Sequence, residues 1–192
     1  MEAQKFVEIW DDNEFIRYNE KILRKYKVSE ETCKILSKYG LPESAAPYLN
    51  FECVSEKKME NLEEGYFYLG YTGNGDWICL NVNTENIIII DHEMYYYDAE
   101  DEDMDVMESE DIEEDGLDYE YEGYTLLNSS LNKLYEFLVI YKDFIKKNLT
   151  ERTNCFENEI KNLELKFKSI DEKAMQIDDC FWNQEIRMLE NS

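Results

Sequence analysis

Asp101, Asp103 and Asp105 stand at alternate positions, the D-x-D-x-D spacing with which calcium loops begin. Such a loop then requires glycine where Val106 stands and a bidentate glutamate where Ile112 stands. Both requirements fail, so no dedicated metal site is expected. His92 is the only histidine, and any Ser–His or Cys–His catalysis would have to run through it. No nucleophile signature accompanies it, and it reads as an edge or turn histidine after a buried strand. Gly70, Gly73 and Gly75 lack the spacing of a phosphate-binding loop, and a strand pattern rather than a helix follows them. Paired carboxylates for glycoside hydrolysis need individually shaped surroundings that split their pKa values. A run of water-facing acids does not supply them. No catalytic residue and no cofactor are expected.

What remains is charge. The stretch DAEDEDMDVMESEDIEEDGLDYEYE, Asp98 to Glu122, is mostly acidic and contains no Lys or Arg. Self-repulsion on this scale opposes any compact state. Either the stretch is a solvated loop, or a cationic partner offsets the repulsion. Met104, Val106, Met107, Ile112 and Leu117 interleave the acids. That mixture gives charge for steering and side chains that can be desolvated as anchors. The candidate partner contacts are therefore Asp98, Glu100, Asp101, Glu102, Asp103, Asp105, Glu108, Glu110, Asp111, Glu113, Glu114, Asp115 and Asp118, with Tyr119 and Tyr121. Asp76 and Trp77 on a nearby hairpin join them. The field extends further, because no Lys or Arg occurs between Lys58 and Lys133.

The whole chain shares this balance, with a formal net charge of −25 over 192 residues. Nucleic acid and anionic membrane surfaces both select Lys and Arg, so neither is an expected partner. A hydrophobic fraction of 43% with 14% aromatic residues excludes a disordered polymer and supports one domain over residues 1–192. The start, MEAQKFVEIWDDNEF, carries charges where a secretory leader needs an apolar core. The IIII run, Ile87 to Ile90, is too short to span a bilayer. Cys33, Cys53, Cys79, Cys155 and Cys180 form no CxxC pair and read as reduced, mostly buried thiols of a cytoplasmic protein.

The elements that must carry this charge fall into three zones. Up to about Tyr39 the pattern is mostly helical. Ser29 is expected to cap a helix with Glu30 and Glu31 in its first turn, and Gly40 to end it in a left-handed conformation, with Pro42 barring its resumption. From about Leu49 to Leu127 the chain reads as strands. YFYLGY and DWICLNV flank TGNG, whose Asn74-Gly75 pair is expected to supply the positive φ angles of a tight hairpin. NTEN turns the chain into IIIID, MYYY (Met94 to Tyr97) is a candidate extension of the sheet, and GYTLL (Gly123 to Leu127) is the returning strand. A helix capped by Asn128 or Ser129 follows, with Leu131, Leu134, Tyr135, Leu138, Tyr141 and Ile145 on its apolar face. Two more helices, within a C-terminal part at about 150–192, carry Phe156, Ile160, Leu163 and Phe167, then Phe181, Trp182, Ile186 and Leu189. The fold class is α+β: a twisted antiparallel sheet with helices on one face, contributed by both ends of the chain.

Five pieces in this order resemble the SUKH superfamily, and within it the fourth group of bacterial immunity proteins. They are SEETCKILSKYGLP (Ser29 to Pro42), APYLNFE (Ala46 to Glu52), YLGYTGNGDWICLNVNTENIIIIDHE (Tyr68 to Glu93), LLNSSLNKLYEFLVIYKDF (Leu126 to Phe144) and SIDEKAMQIDDCFWNQEIRMLE (Ser169 to Glu190). Gly40-Leu41-Pro42, Gly70 and Asn128-Ser129-Ser130 match recurring positions, as helix stop, strand packing and helix cap. The acidic insertion at about 98–122 departs from the pattern. The resemblance implies a non-enzymatic protein that binds and neutralises a cognate toxin of a polymorphic toxin system, here a basic one such as a nuclease. Two other readings stand beside it: a regulatory scaffold that binds a cellular protein, and an enzyme working through carboxylates alone.

Overall fold

The computed structural model describes residues 1–10, 14–53, 59, 62, 64–92, 124–150, 156–177 and 180–191, with backbone alone at 149 and 150. The acidic stretch, MYYY and Cys155 lie outside the described residues. Helix α1, Ala3–Ile9, buries Ala3 and Phe6. Strand β1, Phe15–Ile16, pairs with β2, Leu41–Pro42, in a separate two-stranded sheet. Between them run α2, Glu20–Lys25, and α3, Glu30–Lys38. Asn19 caps α2 by accepting from the Lys21 backbone nitrogen, and Ser29 caps α3 by accepting from that of Thr32 at 3.2 Å. Gly40 ends α3 at φ +75°. A methyl group there would meet the Ile16 carbonyl oxygen at 2.1 Å, so the position also needs glycine for close approach of β1.

Six strands then form an antiparallel sheet in sequence order: β3 (Ser44–Ala45), β4 (Leu49–Phe51), β5 (Tyr66–Thr72), β6 (Trp77–Asn81), β7 (Ile87–Ile90) and β8 (Tyr124–Asn128). The expected meander is present, with two differences in its turns. The β5–β6 loop holds three residues, not two: Gly75 donates to the Thr72 carbonyl at 3.0 Å, and the Thr72 nitrogen donates to the Asp76 carbonyl at 2.8 Å. Only Gly75 of the loop takes a positive φ, at 95°, and Asn74 does not. A three-residue loop needs one left-handed residue rather than a pair. In the β6–β7 turn the left-handed residue is Glu85, at φ 61°, while the Asn81 side chain accepts from the backbone nitrogens of Asn83 and Thr84.

All four isoleucines of β7 are buried. Successive strand side chains point to opposite faces, so burial here is not confined to one face of the sheet.

Helices α4 (Leu131–Thr150), α5 (Phe156–Ile170) and α6 (Phe181–Glu190) complete the core, with a 3-10 turn at Lys173–Met175. The predicted stripe of α4 is buried from Leu131 to Tyr141, joined by Phe137 and Phe144. Ser130, not Asn128 or Ser129, caps this helix: its Oγ accepts from the Lys133 nitrogen at 3.4 Å. Asn128 and Ser129 are instead drawn away by Asp171, a completely buried carboxylate ahead of the 3-10 turn. Phe137 and Phe167 stack at 4.0 Å, and the Trp182 ring stands edge-on to each of them at just over 5 Å. Such aromatic pairs add about 0.5–1.5 kcal/mol each beyond the area they bury. Two residues before Phe137 on α4, Phe6 stacks on Tyr135 at 4.3 Å, and the Tyr135 hydroxyl donates to the Gly40 carbonyl at 2.6 Å. Both ends of the chain are thereby fixed to one helix. Cys33, Cys79 and Cys180 are buried thiols outside any disulfide among the described residues, and Cys53 is an exposed one.

Candidate functional site

A cleft of about 530 Å³ opens between the β5–β6 hairpin, the ends of β7 and β8, and helix α6. The hairpin brings Thr72, Gly73, Asn74 and Asp76 to it. The sheet supplies Ile89, Asp91 and Thr125, and α6 supplies Phe181, Gln184, Glu185 and Met188. Among the described residues the lining holds three carboxylates and no Lys or Arg. Tyr48 closes one side. Its backbone is left-handed, at φ 55°, a conformation in which a bulky side chain is an outlier, and its ring is 74% exposed. Gly73 permits this placement, because a methyl group on it would come within 2.9 Å of the Tyr48 Cβ.

A second cleft, of about 650 Å³ and more apolar, lies on the other side of Tyr48. Trp10, Pro47, Ile145 and Leu189 are among its walls, and it shares Tyr48, Glu185 and Met188 with the first. Lys142, which also lines it, holds its ammonium 4.1 Å from the centre of the Trp10 ring.

Asp76 anchors the rim. Its Oδ1 lies 3.0 Å from His92 Nδ1, and its Oδ2 accepts from the Thr72 hydroxyl at 3.4 Å. Asp76, Asp91 and His92 are the grouping among the described residues whose donor atoms lie within 4.8 Å of one another. One nitrogen and two carboxylate oxygens make an incomplete shell for calcium, which takes six to eight oxygens. Glu185 has different surroundings. It is 7% exposed, and the Tyr141 hydroxyl donates to its Oε2 over 3.5 Å. Burial pushes its carboxyl above the ordinary glutamate range, and the Tyr141 hydrogen bond only partly opposes this. Burial and the neighbouring Glu185 also raise the Tyr141 hydroxyl, so it remains a neutral donor.

Of the predicted contacts, Asp76 lines the cleft. Trp77 is half-buried in β6 with its ring edge against Tyr68, and it is not among the lining residues. The candidates from Asp98 to Tyr121 lie outside the described residues. Their two points of attachment do not: the chain leaves β7 at Ile90 and returns in β8 at Tyr124, and these residues are paired in the ladder. Ile89, Asp91 and Thr125, next to that rung, line the cleft. Sequence reasoning missed Tyr48, Asp91, Glu185 and Met188. For Glu185 a signal existed, because it falls among Phe181, Trp182, Ile186 and Leu189, in phase with the apolar stripe of its own helix. Compared with family models, with curated proteins and with solved structures, the chain matches none.

Proposed function

We propose that this chain is a non-enzymatic immunity protein that binds a cationic protein toxin and blocks it stoichiometrically. The observation that carries the reading is an anionic cleft, lined among the described residues by Asp76, Asp91 and Glu185 without Lys or Arg, beside the Ile90–Tyr124 rung that brackets the acidic stretch in sequence. A toxin that acts on phosphates presents a basic groove. An acidic concave face complements such a groove and competes with its substrate. The net charge of −25 steers the encounter, and steering of this kind lifts association toward about 10⁸–10⁹ M⁻¹s⁻¹ at low salt. Tyr48 and Met188, both exposed beside the cleft, supply the apolar contacts that slow dissociation.

The test uses the product of the neighbouring gene, purified as the candidate toxin. Its association and dissociation rates are measured with the intact chain and with a variant lacking residues 98–118, at low and at physiological salt. The reading expects a tight complex with the intact chain. It also expects an on-rate reduced at least tenfold in the variant, with most of its salt dependence gone. Unchanged affinity and on-rate at low salt reject the acidic stretch as the contact, and turnover of a substrate by the chain rejects the non-enzymatic reading.

A further inference from the structure

Glu185 is nine-tenths buried yet reaches the walls of both clefts. Its bond from Tyr141, at 3.5 Å, is longer than the 2.5–3.0 Å typical of a hydroxyl donating to an oxygen. A carboxylate so enclosed, with one long bond from a hydroxyl, keeps acceptor capacity for a further donor. Helix α6 places that capacity where Tyr48 presents an exposed side chain to both clefts, and where Asp76 and Asp91 charge the approach through the first.

We infer that the junction of the two clefts is the socket for one arginine side chain of the cationic partner, with Glu185 as the carboxylate that receives the guanidinium. This rests on the function proposed above and names its contact. Arginine suits the position better than lysine for physical reasons. Its guanidinium is planar, gives up water more readily than an ammonium, meets a carboxylate through two parallel N–H donors, and stacks on an aromatic face such as Tyr48. Met188, 55% exposed at the edge of both clefts, is the adaptable wall against the methylene stem.

The probe is N-acetyl-L-arginine methylamide, titrated into the full chain labelled on its methionine methyl groups, with the Met188 resonance assigned by a Met188→Leu variant. The Met188 methyl is expected to shift in a saturable manner at millimolar probe. The blocked lysine analogue should bind at least threefold more weakly, and the neutral citrulline analogue should not bind. Glu185→Gln, shown by circular dichroism and thermal melting to fold as the parent does, should weaken the arginine probe at least tenfold. Tyr48→Ala, a change at an exposed ring, should weaken it about threefold. Absence of a saturable shift, equal binding of citrulline, or an unchanged Glu185→Gln titration overturns the socket. The two proposals fail separately: a toxin complex indifferent to Glu185→Gln removes the socket alone. An arginine titration that depends on Glu185, together with no toxin complex, removes the immunity function alone.

Discussion

The Asp171 carboxylate accepts a hydrogen bond from the Ser129 backbone nitrogen at 2.7 Å, across 42 residues of chain. The same group accepts from the Ser129 hydroxyl at 2.8 Å, the Asn128 amide at 3.2 Å and the Lys133 ammonium at 3.2 Å. The Asn128 side chain and the Leu127 carbonyl both accept from the Trp182 indole nitrogen. One buried acid thus ties the end of β8, the start of α4 and the segment that leads into α6. The cleft wall formed by α6 depends on this clip.

Replacing Asp171 with alanine strands several donors in the interior at once. Breaking a buried charged network from one side costs about 3–5 kcal/mol. The Lys133 side chain is 38% exposed, so its share is screened and the lower end of that range applies. A urea titration should show Asp171→Ala less stable by about 3 kcal/mol and Asp171→Asn by less. Loss of under 1 kcal/mol in the alanine variant would mean the clip is not a structural anchor.

Gly70 sits where β5 crosses β4 too closely for any side chain. A methyl group there would meet the Asn50 carbonyl oxygen at 2.0 Å and the Phe51 Cα at 2.8 Å. The obstacle is backbone, which yields less easily than a flexible side chain. Gly70→Ala should cost about 3 kcal/mol, the upper end for overpacking. Hydrogen exchange should show lost protection first at amides joining the two strands, such as Glu52 to Leu69.

Glu185 makes stability depend on pH in a defined direction. Its carboxyl is raised by burial, so between the ordinary glutamate value and the raised one the native state holds a proton the unfolded chain has released. The contribution of this group is fully present below the ordinary value and is lost as pH rises through the raised one. Thermal melts across that window should show Glu185→Gln gaining on the parent protein with rising pH, then running parallel to it. Parallel curves throughout would show that Glu185 titrates as an ordinary glutamate.

The Asp76–His92 pair belongs to another class. Its side chains are 25% and 31% exposed, and exposed pairs contribute about 0.2–1 kcal/mol. Asp76→Asn should therefore cost about 0.5 kcal/mol in a denaturant titration, while weakening the proposed toxin encounter through lost charge. A stability loss above 2 kcal/mol would make Asp76 a structural residue first.

What could be read in advance follows the range of each interaction. Ser29 and Gly40 act on their own helix, so cap and stop were visible in the order of residue types. The meander followed from short turns between apolar runs. Ser130 was harder, since Asn128, Ser129 and Ser130 are equally good caps by type. Asp171, far along the chain, decides among them. Strands β1, β2 and β3, two residues each, are too short to show a period. The cleft was least legible, because Tyr48, Asp91 and Met188 meet only through packing of distant elements. The acids of the sheet zone were plain from composition, but composition carries no position.

The pairing of Ile90 with Tyr124 has a consequence for how such a protein diversifies. Everything between those residues begins and ends on a single ladder rung. Closing a longer excursion costs only about 0.6 kcal/mol for each doubling of length. The segment can therefore be exchanged wholesale, lengthened or recoloured in sign, while the strand register beneath it stays as it is. Length and charge between the two residues can drift while the paired strands stand still.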